Sequence, residues 1–227
     1  DASPTKWHLG HTSWFYEAVI LADHMPGNRL FDPDFHYLFN SYYEALGPRQ
    51  PRPQRGMLSR PPLEAVMDYR RHVDAAMETL ISGADDPSRT PWTHLLLLGL
   101  NHEQQHQELI LTDIKHALSL NPLNPRYHDA VWDVGGVAPG TPSWLTFDGG
   151  LQEIGFDGQG FAFDNEAPRH KRWVEPFRIA DRPVSNGDWL AFMEDGGYRR
   201  PELWLSDGWA TVQARDWLAP AYWRQDE

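Results

Sequence analysis

With 227 residues, 41% of them hydrophobic and 23% charged, the chain has the composition of a soluble globular protein built as one large domain or two small ones. A formal net charge of -12 works against a general nucleic-acid-binding face, which phosphate would repel, and against an anionic membrane surface. There is no cysteine, so disulfides, thiolate metal sites and a cysteine nucleophile are excluded, and any metal must be held by His, Asp or Glu.

The first residues, DASPTKWHLGH, lack the basic-then-apolar order of a signal peptide, and a cytoplasmic setting is expected. Ser3-Pro4 reads as a helix start, with Ser as N-cap and Pro at the first position. Trp7, His11, Trp14, Phe15, Ala18 and Val19 then recur at three- and four-residue spacing, one face of a helix. Met25 to Pro33 is turn-like, and Phe35 to Leu46 predicts a short helix. Residues 47 to 62, GPRQPRPQRGMLSRPP, hold five prolines and four arginines, a density that predicts a loop with fixed φ angles. Leu63 to Ile81 returns to helical spacing, with Val66, Tyr69, Val73, Ala76, Met77 and Leu80 on one side. After a connector at 82–91, Trp92 to about Leu120 predicts a long helix closed by Asn121-Pro122. Apolar runs such as Leu95 to Leu98 are far too short to span a bilayer. This is the pattern of a bundle of three or four amphipathic helices. Beyond NPLNPRY the chain turns rich in Gly, Pro, Trp and Phe. Runs such as WLTFDGG, LQEIGF, FAFD and RWVEPFRIA read as short strands and loops, and one short helix is expected near Asn186 to Glu194. The domain boundary falls near 122 to 135.

His102 and His106 stand four apart on the long helix, on one face and one turn from each other, so both can ligate one ion. Alone, two histidines at this spacing are a weak signal. The run HEQQH also spells the zincin motif, in which the Glu is a general base. The helical context upstream, and the lack of a good third ligand downstream, speak against a protease. His11 shares the apolar face of the first helix with Trp7, Trp14 and Phe15 and is the best third ligand. His94 ranks second, His8 is read as peripheral, and His24, His36, His72, His116, His128 and His170 as loop or surface residues. Three imidazoles aimed into one bundle core need partners, and a shared metal satisfies all three. Such a site suits Zn(II), for hydrolysis or thiol activation, or Fe(II), which can take dioxygen and a substrate sulfur together; spacing does not separate the two.

Three separated stretches, WHLGHTSWFYE, FNSYYEALGPRQPRPQRGMLSRP and NHEQQHQELILTDIKHAL, resemble the ergothioneine-biosynthesis sulfoxide synthases. The later stretch from FAFDNEAPRHKRW to ELWLSDGW is similar to the start of their formylglycine-generating-enzyme-like domain. The resemblance covers essentially the whole chain. It implies an α+β protein of two domains: a DinB-like four-helix bundle over residues 1–125, then a C-type-lectin-like α+β domain over 126–227 that continues past this chain's last residue. It implies a non-haem Fe(II) held by His11, His102 and His106. With O2 as co-substrate, the iron joins hercynine to cysteine or γ-glutamylcysteine as a sulfoxide.

Arg52 and Arg55 resemble the family's anchors for the carboxylates of the thiol, a task that suits the planar guanidinium fork. Arg49 and Arg60 are weaker candidates. The family's catalytic Tyr and its trimethylammonium-binding residues are implied to lie beyond residue 227, so no catalytic residue is named. Three other readings stay open. One is a selenoneine synthase that joins hercynine to a selenosugar, another a zinc-dependent DinB-like thiol transferase. The third is a non-catalytic bundle with an appended binding domain. The expected partners are small molecules, with neither nucleic acid nor membrane.

Overall fold

The computed structural model describes residues 2–41, 43–129 and 140–225. Residues 130–139, which hold part of the expected domain boundary, lie outside the described residues. The fold is α+β, with long helices first and short strands after. It divides into two compact units, Asp1–Asp129 with Gln159–Asp164, and Ala130–Gly158 with Asn165–Glu227. The division is therefore not a single cut in the chain.

In the first unit, α1 (Thr5–Phe15) passes directly into a π-helical stretch, Tyr16–Leu21, and a last α turn, α2 (Ala22–His24). The N-cap is Pro4, whose carbonyl accepts from the Trp7 amide at 2.8 Å. Ser3, expected to cap, instead gives its amide to Asp113 Oδ2 at 3.0 Å. The π-helical stretch changes the helical phase. A 3.6-residue period puts Ala18 and Val19 inwards; both are half-buried against the core, while Glu17, Ile20 and Leu21 are the fully buried residues of the stretch. Glu17 is buried yet satisfied: its carboxylate accepts from Tyr69 Oη at 2.7 Å and from the Phe31 amide at 3.0 Å.

Helix α3 (Pro33–Phe39) is capped by Asp32, whose side chain accepts from the Asp34 amide at 2.9 Å. The helix expected over 35–46 stops at Phe39. Asn40 turns extended, and its side-chain amide donates to the Gly47 carbonyl at 2.9 Å, holding the following loop. The proline-rich stretch is not wholly irregular, because Arg52–Met57 form a 3₁₀ helix with Pro near its first position. Helices α4 (Leu63–Ser82) and α5 (Thr93–Ser119) follow as their spacing predicts. Helix α1 packs against α3, α4 and α5. The core cluster around it includes Trp7, Trp14, Phe15, Phe39, Tyr69 and Trp92.

Gly10 sets how closely α3 approaches α1. A Cβ at Gly10 would lie 2.4 Å from the Phe39 ring. Gly10→Ala is therefore expected to destabilise the bundle by about 1–3 kcal/mol, the range for overpacking a tight core. Denaturant unfolding followed by helical circular dichroism measures this, and an unchanged midpoint would refute the close approach.

In the second unit, β1 (Trp144–Phe147) pairs antiparallel with β4 (Phe177–Ala180), and β2 (Gly150–Ile154) with β3 (His170–Val174). The two ladders share one register: Phe147 faces Phe177, and three steps on Gly150 faces Val174. They thus form one two-stranded ribbon, interrupted beside Pro176, which has no amide hydrogen to donate. Of the runs read as strands and loops, FAFD falls among the loops. Helix α6 (Asn186–Glu194) starts from a capping box made by Ser185 and Asp188. A second helix, α7 (Ser206–Ala214), was not expected from the sequence. Its Gly208 and β-branched Thr211 and Val212 weaken the helical signal. Among the described residues, no helix is long and apolar enough to cross a membrane.

Candidate metal centre

Helix α5 carries His102 and His106 on successive turns, with ring centroids 4.6 Å apart. Helix α1 crosses it and brings His11 to 4.9 Å from His102 and 4.7 Å from His106, centroid to centroid. One ring nitrogen from each of the three lies within 4.8 Å of the others. The structure therefore brings together the three histidines singled out in the sequence. His94 is exposed and outside this group.

His11 is held on both of its aspects. Its ring stacks nearly parallel to Trp7, at 4.8 Å, and to Trp14, at 5.7 Å. Its Nδ1 lies 2.6 Å from the Phe39 carbonyl oxygen. A carbonyl only accepts, so the proton sits on Nδ1 and Nε2 keeps its lone pair. The approach that Gly10 permits is what places this carbonyl. Trp7 is anchored in turn through Nε1, which donates to the Leu38 carbonyl at 2.9 Å.

Burial lowers the proton affinity of all three rings. His11 is held well below the usual imidazole range, by burial first and then by its neighbours His102 and His106. Burial takes His102 down to about 4. His106 falls to about 3 through burial, with His102, His8 and Arg55 adding to it. All three are neutral near pH 7, the state in which an imidazole offers a lone pair to a metal. The donor set fits a metal. Nδ1 of His102 is buried with no hydrogen-bond partner among the described residues, a cost that shared coordination of the cluster would offset.

Glu103, the glutamate of HEQQH, is not among the residues that line the cavity beside the three histidines. Arg70 Nη2 donates to its carboxylate, and Arg70 Nη1 donates to Thr12 Oγ1 at 3.2 Å. A general base must reach the proton it removes, and the pairing of Glu103 with Arg70 speaks against the zincin reading.

The imidazoles line a cavity of about 340 Å³, together with Ser41, Tyr43, Arg52, Arg55 and Gln105. Both predicted arginines are thus at the site, in different states. Arg55 is buried, with its guanidinium 3.6 Å from the Trp7 ring centroid and Nη2 donating to Ser41 Oγ at 3.3 Å. Arg52 is exposed at the mouth. Arg49 lines a smaller cavity beside them and donates to the Ser41 carbonyl at 2.6 Å. Arg60 is exposed and not in the lining.

One expectation is corrected. His8 is not peripheral but 3% exposed, with Nδ1 2.9 Å from His106 Nδ1 and Nε2 3.1 Å from Asp113 Oδ2. Residues three apart on a helix are neighbours, so His8 shares the His11 side of α1. Asp113 lies seven residues, two turns, beyond His106 on α5. Those spacings were visible in the sequence; what they pointed at was not.

Residues 1–110 match the DinB superfamily, and residues 137–227 the sulfatase-modifying factor enzyme 1-like domain. Over 99% of its length the chain is 30% identical to the hercynine oxygenase of Mycolicibacterium smegmatis, covering 50% of that protein. It is 29% identical to the hercynine oxygenase of Mycolicibacterium thermoresistibile, over 99% of the chain and 48% of that protein. The chain is thus similar over nearly its whole length to hercynine oxygenases, and it joins a DinB-matching stretch to one matching the sulfatase-modifying factor domain. It spans about half the length of the hercynine oxygenases it matches. A shorter likeness, 36% identity over 62 residues, links it to ergothioneine biosynthesis protein 1 of Schizosaccharomyces pombe, over 27% of the chain and 8% of that protein. The three clustered histidines and both lining arginines lie within the stretch that matches the DinB superfamily.

Proposed function

We propose that this chain carries the metal site of an iron- and O2-dependent oxidoreductase that joins hercynine to cysteine or γ-glutamylcysteine as a sulfoxide. A cytoplasmic setting belongs to the same proposal. The observation that carries it is the meeting of three neutral imidazoles and two arginines around one cavity. His11, His102 and His106 would hold the ion. Iron in such a site supplies one-electron chemistry with O2 and open coordination positions for substrate atoms.

The chain's own residues do the positioning. The two indoles and the Phe39 carbonyl fix His11. Arg55, stiffened on Trp7, and Arg52, at the mouth, offer guanidinium forks to the carboxylates of an amino-acid thiol. That pair favours such a thiol over a selenosugar, which has no carboxylate to grip.

The test is an aerobic assay, with Fe(II), of the polypeptide that carries these residues. It is given hercynine with cysteine, γ-glutamylcysteine or a selenosugar, and products are read by mass. A sulfoxide adduct that requires iron supports the proposal. Turnover with Zn(II) and no O2 would replace it with the thiol-transferase reading. Arg52→Ala should raise KM for the thiol about tenfold, the loss of one exposed charge-assisted contact, with little change for hercynine. Equal weakening of both substrates would reject this role for Arg52.

A further inference from the structure

The cluster has a fourth imidazole that no metal reading uses. His8 sits one turn before His11 on α1 and bridges two groups of α5. Its Nε2 lies 3.1 Å from Asp113 Oδ2, and its Nδ1 lies 2.9 Å from Nδ1 of His106. Asp113 is itself buried, and its Oδ2 is steadied by the Ser3 amide at 3.0 Å.

The donors along this line follow from bonding rules. A carboxylate only accepts, so His8 donates from Nε2. A neutral imidazole carries one ring proton, so Nδ1 of His8 is the acceptor. The 2.9 Å contact is then a hydrogen bond from Nδ1–H of His106. That leaves Nε2 of His106 with a bare lone pair. His11 reaches the same state independently, through the Phe39 carbonyl. Two of the three rings are thus locked by hydrogen bonds at Nδ1, and in both the remaining nitrogen is Nε2.

We propose that Asp113 and His8 form a hydrogen-bonded chain that selects the Nδ1–H tautomer of His106 and fixes its ring, so that Nε2 is the atom offered to a metal. His8 is then a positioning residue and not a ligand. The inference rests on the metal-site reading above, but its first readout does not need a metal. A bare structural strut between the start of α1 and α5 would move the melting temperature and nothing else.

The experiment pairs nitrogen NMR of ¹⁵N-histidine in the metal-free chain with anaerobic Fe(II) titration. The parent should show the His106 proton on Nδ1. His8→Ala should mix the two tautomers and weaken Fe(II) binding about 10–100-fold at unchanged stoichiometry, the usual penalty for losing a residue behind a ligand. His8→Asn puts an amide oxygen near the place of Nδ1 and should restore most of both. Asp113→Asn should fall between. A proton found on Nε2 of His106 in the parent overturns the proposal. So does Fe(II) affinity within about twofold of the parent in His8→Ala, or His8→Asn no better than His8→Ala. If His8→Ala does not fold, the Asn variants at both positions carry the same comparison. If the parent binds no Fe(II), the metal reading fails while the tautomer measurement still judges the hydrogen-bonded chain.

Discussion

The His102→Ala, His106→Ala double variant is expected to lose Fe(II) binding, with affinity falling more than a hundredfold. The threshold follows from comparison. Removing a residue that only supports a ligand costs about 10–100-fold, so removing two ligands must cost more. His11 alone cannot hold the ion, because its stacked ring offers one nitrogen from one side. Anaerobic titration with metal analysis reads the stoichiometry, expected to be one per chain in the parent and none in the variant. Thermal melting supplies the control. A ligand present at a hundred times its Kd stabilises the folded state by about 2.7 kcal/mol, which for a domain of this size raises Tm by roughly 5–10 °C. The parent should show that rise with Fe(II), and the variant should not. The metal-free variant should still fold, because alanine is a better helix former than histidine and two desolvated imidazoles are gone. Unchanged binding in the double variant would end the metal-centre reading.

Trp14→Ala should be the most damaging single change to stability, at about 3–5 kcal/mol, the range for truncating a large core aromatic. Trp14 is fully buried. It backs the His11 ring at 5.7 Å and also meets Tyr43 and His36. The variant therefore creates a void directly behind a proposed ligand. The loss should appear as a lower denaturant midpoint in helical circular dichroism and as weaker Fe(II) binding in whatever still folds. Trp14→Phe keeps a flat ring there and should recover much of both. A loss below about 1 kcal/mol in Trp14→Ala would mean that this face of α1 is not packed as described.

Much of this was legible in the chain itself. Helical periodicity marked α4 and α5 almost to the residue, because both are long and amphipathic with clear stops. His102 and His106 were readable as a pair because a helix fixes the distance between residues four apart. His11 was readable as inward because tryptophans share its face. Errors collected where the local rule has competitors. Helix α3 ended early because the Asn40 side chain bonds the loop that follows. The π-helical stretch at Tyr16–Leu21 altered the helical phase, and Glu17 could go inside only because Tyr69 and Phe31 supply donors from elsewhere in the chain.

By itself the sequence determined the types of the long elements, the absence of thiolate ligands and the three imidazoles most able to meet. These depend on spacing within single segments and on composition. Tertiary structure alone decided that the three do meet. It also decided that Glu103 is taken by Arg70, that Arg55 lies buried on Trp7, and that His8 and Asp113 stand behind His106. Each of those is a contact between side chains 33 to 105 residues apart. No local periodicity encodes such a distance, because it is set by how closely the helices lie together, with α1 brought against α3 at Gly10 and against α5 at Gly99.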